Sequence, residues 1–321
     1  MSSPAAEKLR DWALLLFCNL TWASQFVMVK LVQREMGPFF ATFFPMAIAT
    51  LFLIPIVRWK RDLSSSPNPR KSAGTDLRDF LLIGVLGQVA AQLFITWGSG
   101  LSRASNAALL SLTLPVSTSV MAYLFLGERM TRVRLLSFAL AIAGVLQCSG
   151  IRWGELNLTG RRFLIGNLLI LLSVNGSSFY NTYSKKLLLR YSPLQVMLYS
   201  YFVVLAFLFP ITISLEPKGF RNLPHYGPVV WLGLVILALF QYFLSMVVFL
   251  TVLSRLDATQ AGLMNYLIPV FGLLLAVLIL GERLTWAMIL GGLLVLGSTL
   301  LITVYEAKMV SREPSNPDTP R

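Results

Sequence analysis

The sequence predicts an all-α polytopic membrane protein, with ten transmembrane helices arranged as two inverted five-helix repeats. Hydrophobic residues make up 56% of the chain, charged residues only 13%, and several short motifs occur twice. A typical soluble domain carries about 25% charged residues, and a soluble chain could not bury so much apolar surface. A lipid bilayer can solvate that surface instead.

Apolar runs of the length that a bilayer requires, about 20 residues, follow one another along most of the chain. Gly37 and Pro38 separate the first two runs, and only residues 253–257 separate the eighth run from the ninth. The predicted spans are Trp12–Val32, Phe39–Val57, Phe80–Trp97, Ala104–Leu126, Val133–Gly150, Phe163–Ser184, Pro193–Ile213, Val229–Val252, Ala258–Leu280 and Trp286–Tyr305. Ten such spans leave no room for a separate soluble domain.

The basic residues indicate how the chain is oriented. The formal net charge of +13 is compatible with nucleic-acid binding, but the basic residues lie between apolar runs and form no patch interleaved with exposed aromatic residues. We therefore predict no nucleic-acid partner. If the chain crosses the bilayer at every span, most of the 27 Lys and Arg residues fall on the side of the termini. The positive-inside rule then predicts that both termini are cytoplasmic.

Three motifs of the first half recur in the second half, in the same order. They are Leu101-Ser102-Arg103 with Leu253-Ser254-Arg255, Leu114-Pro115-Val116 with Ile268-Pro269-Val270, and Leu126-Gly127-Glu128-Arg129 with Leu280-Gly281-Glu282-Arg283. Because five helices are an odd number, the second half must enter the membrane in the opposite orientation, as in many secondary transporters. We predict repeats at residues 1–150 and 151–305, followed by a disordered cytoplasmic tail at residues 306–321.

The order of these motifs resembles a known family. Two five-helix repeats, each ending its fourth helix with a Pro and a Gly-Glu-Arg turn, resemble the EamA family of the drug/metabolite transporter superfamily. The first helix, with Asn19-Leu20-Thr21-Trp22-Ala23-Ser24-Gln25-Phe26 followed by Lys30, is similar to that family's opening helix. The resemblance implies ten helices, cytoplasmic termini and export or exchange of small metabolites, and we expect a bacterial inner (plasma) membrane. Ser177 stands where Trp22 would align, so a role for Trp22 is confined to one half.

Uncharged polar residues within the spans are the candidates for a substrate site. Amides cost free energy in hydrocarbon unless they are paired, so we expect them to face the protein interior; hydrogen bonding between helices is the alternative for each one. The predicted substrate-binding residues are Asn19, Trp22, Gln25, Gln88, Gln92, Asn106, Ser111, Asn175, Ser178, Gln241, Tyr242 and Asn265. Amides together with aromatic rings suit a polar, partly apolar solute such as an amino acid.

Three pairs of residues at matching places in the two halves have a functional and a structural interpretation. Pro115 and Pro269 lie within predicted helices, where proline bends the helix as a fixed kink or as a hinge that lines a cavity. Glu128 and Glu282 end helices, either as structural turns or as gates. Lys30 and Lys185 either reach the membrane interface or contact an anionic group of the substrate.

The sequence lacks the motifs that are typical of several classes of enzyme and metal site. The sequence has no Walker loop, no His-Glu-x-x-His, no Gly-x-Ser-x-Gly and no Cys–His cluster. The only histidine, His225, lies in a predicted loop, and none of the 14 acidic residues is clearly within a span. We therefore predict that the protein is not an enzyme and has no metal or cofactor.

The sequence predicts a secondary transporter that exports or exchanges small metabolites such as amino acids by alternating access. Its partners would be a small-molecule substrate and the lipid bilayer, and small residues in the fifth and tenth spans leave a homodimer open. A carrier of nucleotide sugars, sugar phosphates or lipid-linked sugars is the first alternative, although it would need several basic groups in its cavity. A membrane sensor or assembly subunit that transports nothing is the second.

Overall fold

The computed structural model of the chain describes residues 4–63, 73–126, 131–148, 158–248 and 267–310, which form helices, turns and short connections without any strand. The helices are α1 (Pro4–Val32), α2 (Pro38–Leu63), α3 (Ala73–Leu82, Ile83–Val89 and Ala90–Leu101 in succession), α4 (Ala104–Ser111 and Leu114–Leu126), α5 (Arg132–Cys148), α6 (Leu158–Tyr183), α7 (Pro193–Leu215), α8 (Pro228–Val235 and Ile236–Leu244), α9 (Leu267–Leu280) and α10 (Trp286–Val310). Short helical turns at Lys185–Leu188, Pro217–Arg221 and Leu223–His225 lie between α6 and α8. The predicted all-α class is confirmed for these residues.

Six helical stretches in the described ranges are long and apolar enough to cross a membrane. They are Arg10–Val32, Pro38–Trp59, Asp76–Leu101, Gly160–Leu188, Pro193–Leu215 and Pro228–Val248. The stretches Leu267–Leu280 and Trp286–Ser298 are apolar but shorter. Large apolar side chains such as Leu51 (68% exposed) and Leu278 (78% exposed) remain on helix surfaces, which suits contact with lipid.

The helices pack in pairs that join α1–α5 to α6–α10. Helix α1 packs against α8 and α9, and α6 packs against α3 and α4. Similarly, α2 packs against α8 and α7 packs against α3, whereas α2 with α7, α4 with α9 and α5 with α10 pair directly. These contacts are symmetric between the two sets of helices. Exchanging α1 with α6, α2 with α7, α3 with α8, α4 with α9 and α5 with α10 gives the same contacts again.

Helices α3 and α8 each contain a π-helical segment, Ile83–Val89 in α3 and Ile236–Leu244 in α8. A π turn closes its hydrogen bond over five residues instead of four, and such turns are frequent at functional sites. The two segments begin 153 residues apart, and they contain Gln88 and Gln241. Neither segment was predicted from the sequence.

Helix α4 is interrupted at Leu112 and Thr113. Their backbone N–H groups donate to the carbonyl oxygens of Leu109 and Leu110, three residues earlier, at 3.2 and 3.0 Å. Pro115 follows in the first turn of the second segment, where a helix tolerates the missing N–H. The break therefore lies just before Pro115, within the predicted fourth span.

Polar contacts join the two sets of helices at the end of the bundle where α1 finishes, which we name the Lys30 end. Glu216, which follows α7, accepts hydrogen bonds from the backbone N–H groups of Phe39 (3.2 Å) and Phe40 (2.8 Å) at the start of α2. These N–H groups have no partner within their own helix. A carboxylate from α6–α10 thus caps a helix of α1–α5.

A second carboxylate cap lies at the same end. Helix α9 ends at Leu280 and is followed by Gly281, whose φ of 66° is readily adopted by glycine after a helix terminus. The following Glu282 accepts hydrogen bonds from the backbone N–H groups of Ala104 (2.9 Å) and Ser105 (3.0 Å) and from Ser105 Oγ (2.5 Å). Helix α4 has no side-chain cap of its own at this terminus.

The opposite end of the bundle, the Arg190 end, is held by an ion-pair cluster. Arg190 pairs with Asp76 and Asp79, which lie near the start of α3. The hydroxyl groups of Tyr191 and Tyr183 donate to the same two carboxylates, at 3.0 and 3.1 Å. The start of α3 is thereby tied to the connection between α6 and α7.

Candidate substrate site

Four glutamine side chains form a hydrogen-bonded chain inside the bundle. Gln241 Nε2 on α8 donates to Gln25 Oε1 on α1 at 2.8 Å, and Gln25 Nε2 donates to Gln92 Oε1 on α3 at 3.3 Å. Gln92 Nε2 in turn donates to Gln88 Oε1 at 3.4 Å. Four of the predicted substrate-binding residues are therefore brought together, although they come from three helices.

Two buried tyrosine side chains lie beside this glutamine chain. The Tyr180 hydroxyl on α6 lies near Gln88 and Ser200. The Tyr242 hydroxyl on α8 lies near Thr96 and Gln25 but forms no hydrogen bond with any group in the described part of the chain. The predicted residue Tyr242 thus belongs to the site, whereas Tyr180 was not predicted. The repeat could have indicated Tyr180, because this residue follows Gln25 by 155 residues, the same offset that separates Lys30 from Lys185.

The glutamine chain is uncharged and keeps a free hydrogen-bonding atom. Every charged residue of the six candidate spans lies within the first four or last four residues of its span. Gln241 Oε1 is buried, and no group in the described part of the chain donates a hydrogen bond to it. An uncharged site with an open acceptor can bind a polar solute through hydrogen bonds, since a buried polar atom needs a partner.

A second polar cluster surrounds the predicted residue Asn106 at the start of α4. Asn106 Nδ2 donates to Ser102 Oγ at 3.4 Å, and Ser102 Oγ donates to Asn167 Oδ1 on α6 at 2.5 Å. Asn106 Oδ1 is buried without a hydrogen-bond donor from the described residues. Ser102 and Asn167 were not predicted. Ser102 lies between two predicted spans, and Asn167 lies in the second turn of the predicted span Phe163–Ser184.

The predicted residues Asn175 and Ser178 on α6 bind the broken helix α4. Ser117 Oγ donates to Asn175 Oδ1 at 2.9 Å, and Ser178 Oγ lies 3.2 Å from Thr118 Oγ1 and 3.4 Å from the Leu114 carbonyl oxygen. These are hydrogen bonds between helices, the alternative considered for each polar residue. Ser111 Oγ donates to the Ala108 carbonyl oxygen of its own helix at 2.6 Å.

Comparison with known proteins identifies the family. Residues 12–149 and 164–304 each match the sequence pattern of the EamA-like transporter family. The chain belongs to the EamA-like transporter family. The resemblance noted in the sequence is thereby confirmed, and the apolar helices together with this membership make the chain an integral membrane protein.

Relatives of this EamA-like chain are named as transporters. An "Uncharacterized transporter" of Archaeoglobus fulgidus is 25% identical over 293 residues, covering 91% of this chain and 97% of the relative. A "Probable terminal-alkyne amino-acid exporter" of Streptantibioticus cattleyicolor is 27% identical over 294 residues, covering 91% and 92%. A solved structure titled "Crystal structure of protein" has a similar fold, with a TM-score of 0.58, 16% identity and coverage of 92% of this chain and 99% of that chain.

The remaining predicted residues of the EamA-like chain lie elsewhere on the helices or outside the described residues. Asn19 is buried and Trp22 half-buried on α1, in the turns before Gln25. Pro269 is buried at the third residue of α9. Glu128 and Asn265 lie outside the described residues, as do the side chains of Pro115 and Lys185.

Charged groups of the EamA-like chain gather at the Lys30 end. Lys30 at the end of α1 is half-buried, and the charges that act on it are those of Glu282, Arg162 and Arg103. Burial raises the pKa of the nearby Glu216 carboxyl, while the N–H groups of Phe40 and Phe39 act in the opposite direction. In the described residues, no group of three or more His, Cys, Asp or Glu could hold a metal ion.

Proposed function

We propose that this EamA-like protein is a secondary transporter that exports or exchanges small metabolites such as amino acids by alternating access. The observation that carries the proposal is the buried chain Gln241–Gln25–Gln92–Gln88, which joins helices from both parts of the molecule. Paired amides inside a membrane bundle suit a solute that exchanges hydrogen bonds with them. The relative named as a probable amino-acid exporter supports amino acids as the substrate class.

The proposal includes ten membrane spans in two inverted repeats, residues 1–150 and 151–305. The paired helix contacts, the π-helical segments that begin at Ile83 and Ile236 and the two family matches support it. The side chains support it as well: Gln25 contacts Gln241, and Tyr180 contacts Gln88. The two contacts are equivalent in the proposed repeats. Tyr180 corresponds to Gln25 at an offset of 155 residues, and Gln241 corresponds to Gln88 at an offset of 153 residues.

Alternating access requires that each end of the bundle opens in turn. The carboxylate caps of Glu216 and Glu282 join the two proposed repeats at the Lys30 end, and the Arg190 cluster joins them at the other end. These polar contacts must separate at whichever end opens, and water that enters there can then satisfy the groups that lose their partners. We further propose a bacterial inner membrane with both termini in the cytoplasm, from the distribution of Lys and Arg.

Flux in proteoliposomes that contain only this protein tests the proposal. We expect uptake of radiolabelled amino acids into liposomes preloaded with unlabelled amino acids. Gln25→Leu should reduce this uptake at least tenfold, because it removes both hydrogen bonds that Gln25 makes in the chain. The matched control is Gln147→Leu, which changes an exposed glutamine on α5 and should leave uptake unchanged.

Two outcomes would contradict the proposed function. Absence of flux across a panel of amino acids and other metabolites would favour a sensor or assembly subunit. Counterflow of nucleotide sugars or sugar phosphates, without flux of amino acids, would favour the carrier of anionic sugars.

A further inference from the structure

Three basic side chains from three helical regions meet at the Lys30 end. Lys30 lies at the end of α1, Arg103 precedes α4 and Arg162 lies in the first turns of α6. The charges of both arginines act on Lys30 and oppose its own charge. Within the described part of the chain, none of the three forms an ion pair.

The carboxylate that acts on Lys30 also caps a helix. Glu282 attracts Lys30, but its two oxygen atoms accept hydrogen bonds from the Ala104 and Ser105 N–H groups and from Ser105 Oγ. Its negative charge therefore compensates the positive N-terminus of α4. The three cations keep a net positive field, which concentrates anions at the mouth of the bundle.

Arg103 is held in place among helices. Its guanidinium lies over the Phe163 ring of α6, 5.9 Å from the ring centroid, and its Nη1 lies 3.8 Å from Met288 Sδ of α10. A guanidinium over an aromatic face gains a cation–π attraction. These contacts hold the guanidinium in place but leave its positive charge available to an anion.

A polar stripe on α3 connects the basic cluster to the glutamine chain. Gln88, Gln92, Thr96 and Ser99 follow one another at intervals of three or four residues, which places them on one side of the helix. Arg103 lies two residues beyond the end of this helix. Ser99 Oγ is buried, with the residue only 1% exposed, and no group in the described ranges forms a hydrogen bond with it. Asn106 Oδ1, 4% exposed and beside the same turn, also lacks such a partner.

We propose that Lys30, Arg103 and Arg162 bind the carboxylate of the transported solute at the mouth of the bundle, and that the stripe on α3 leads the solute to the glutamine chain. The inference rests on the proposed function and narrows the substrate class to solutes with a carboxylate and a hydrogen-bonding body, namely zwitterionic amino acids. Arginine suits this role, because its planar donors match a carboxylate.

The same basic groups would also attract the phosphate of a lipid headgroup. The buried, unpartnered Ser99 Oγ and Asn106 Oδ1 favour a solute, because a lipid headgroup at the surface of the bundle would leave these buried atoms without partners. The test must therefore compare both sources of anionic oxygen.

The test uses the full-length protein in liposomes and measures uptake of a mixture of radiolabelled amino acids and, separately, of the corresponding amino-acid amides, which lack the carboxylate. We expect uptake of the acids and at least tenfold weaker uptake of the amides. Arg103→Gln should raise the KM for the acids about tenfold, the loss of one charge-assisted contact, while leaving kcat and the uptake of the amides nearly unchanged. Arg161→Gln is the matched control, since Arg161 is exposed beside Arg162 and does not act on Lys30.

Equal uptake of acids and amides, or the same KM in Arg103→Gln and Arg161→Gln, would overturn the inference. If Gln25→Leu still reduced amino-acid uptake at least tenfold in that case, the proposed function would stand without the carboxylate site. Repeating the assay in phosphatidylcholine liposomes with and without phosphatidylglycerol distinguishes binding of the solute carboxylate from binding of lipid phosphate. A KM effect of Arg103→Gln that occurs only with phosphatidylglycerol would assign the site to lipid phosphate and overturn the inference, and absence of any amino-acid flux would overturn both proposals.

Discussion

Gln241 on α8 donates a hydrogen bond to Gln25 on α1, and this contact joins the two proposed repeats at 2.8 Å. Its counterpart, the contact between Gln88 and Tyr180, joins the same two parts on the other side of the site. Gln92 links the two contacts. A solute that replaces one of these hydrogen bonds alters the connection between the repeats, which is the physical requirement for coupling binding to a change of access.

The contact between Gln25 and Gln241 should be measurable as a coupling energy. Each single change, Gln25→Leu and Gln241→Leu, leaves a buried amide without its partner, so each should destabilise the protein by about 1–3 kcal/mol. The double variant should lose less than the sum of the two, by about 1 kcal/mol. Thermal unfolding of the purified wild type, the two single variants and the double variant supplies the four stabilities of this double-mutant cycle.

Additive losses in this cycle would contradict the contact. The pair Gln25→Leu and Gln147→Leu supplies the control, because Gln147 is exposed on α5 and its effect should simply add.

A close backbone approach holds α3 against α6. A Cβ atom at Gly98 would lie 2.6 Å from the Gly166 carbonyl oxygen and 3.0 Å from the backbone nitrogen of Ile170. Backbone atoms cannot rotate away, so Gly98→Ala should destabilise the protein by about 1–3 kcal/mol and lower its Tm. Gly297→Ala on α10 is the control, because a Cβ there meets no atom within 4 Å; equal Tm values for both variants would refute the packing.

The cap formed by Glu216 should make stability depend on pH in a defined direction. Burial raises the pKa of this carboxyl above its ordinary value of 4.5, so the folded protein binds the proton more tightly than the unfolded chain. The resulting stabilisation is present below the ordinary pKa and is lost as the pH rises through the raised pKa. The Tm of the wild type minus that of Glu216→Gln should therefore fall as the pH is raised from the ordinary pKa of 4.5 towards neutrality. A difference that grows over this range would contradict the burial of the carboxylate.

The sequence predicted the class of the fold and part of the site for physical reasons. Apolar runs and the cost of unpaired amides in hydrocarbon were sufficient to select Gln25, Gln88, Gln92 and Gln241, which the structure brings together. The same reasoning also selected Asn175 and Ser111, which bind α4 and their own helix instead. Polarity alone does not distinguish an amide that lines a path from one that joins two helices.

Other features depend on packing that a single sequence does not reveal. The π turns in α3 and α8 carry no composition signal, since Ile83–Val89 and Ile236–Leu244 read as ordinary apolar helix. Tyr180 looks like any aromatic residue of a span until the repeat aligns it with Gln25. The partner of Glu282 lies 177 and 178 residues away in the chain, at Ser105 and Ala104, so the Gly-Glu-Arg motif indicates a helix end but not the helix that it caps.

The cap of Glu282 on α4 should control access at the Lys30 end. Glu282→Ala leaves the N–H groups of Ala104 and Ser105 without their acceptor, at a cost of about 1 kcal/mol, and so favours states in which this end is open. A cysteine placed at Ser99, which is buried on the polar stripe, should then react several times faster with a thiol reagent that cannot cross the membrane. The background replaces Cys18 and Cys148 by serine, and Arg283→Gln in the same turn is the control. Equal labelling rates in Glu282→Ala and Arg283→Gln would show that the cap does not restrict this end, whereas faster labelling only in Glu282→Ala is expected if α9 holds α4 closed.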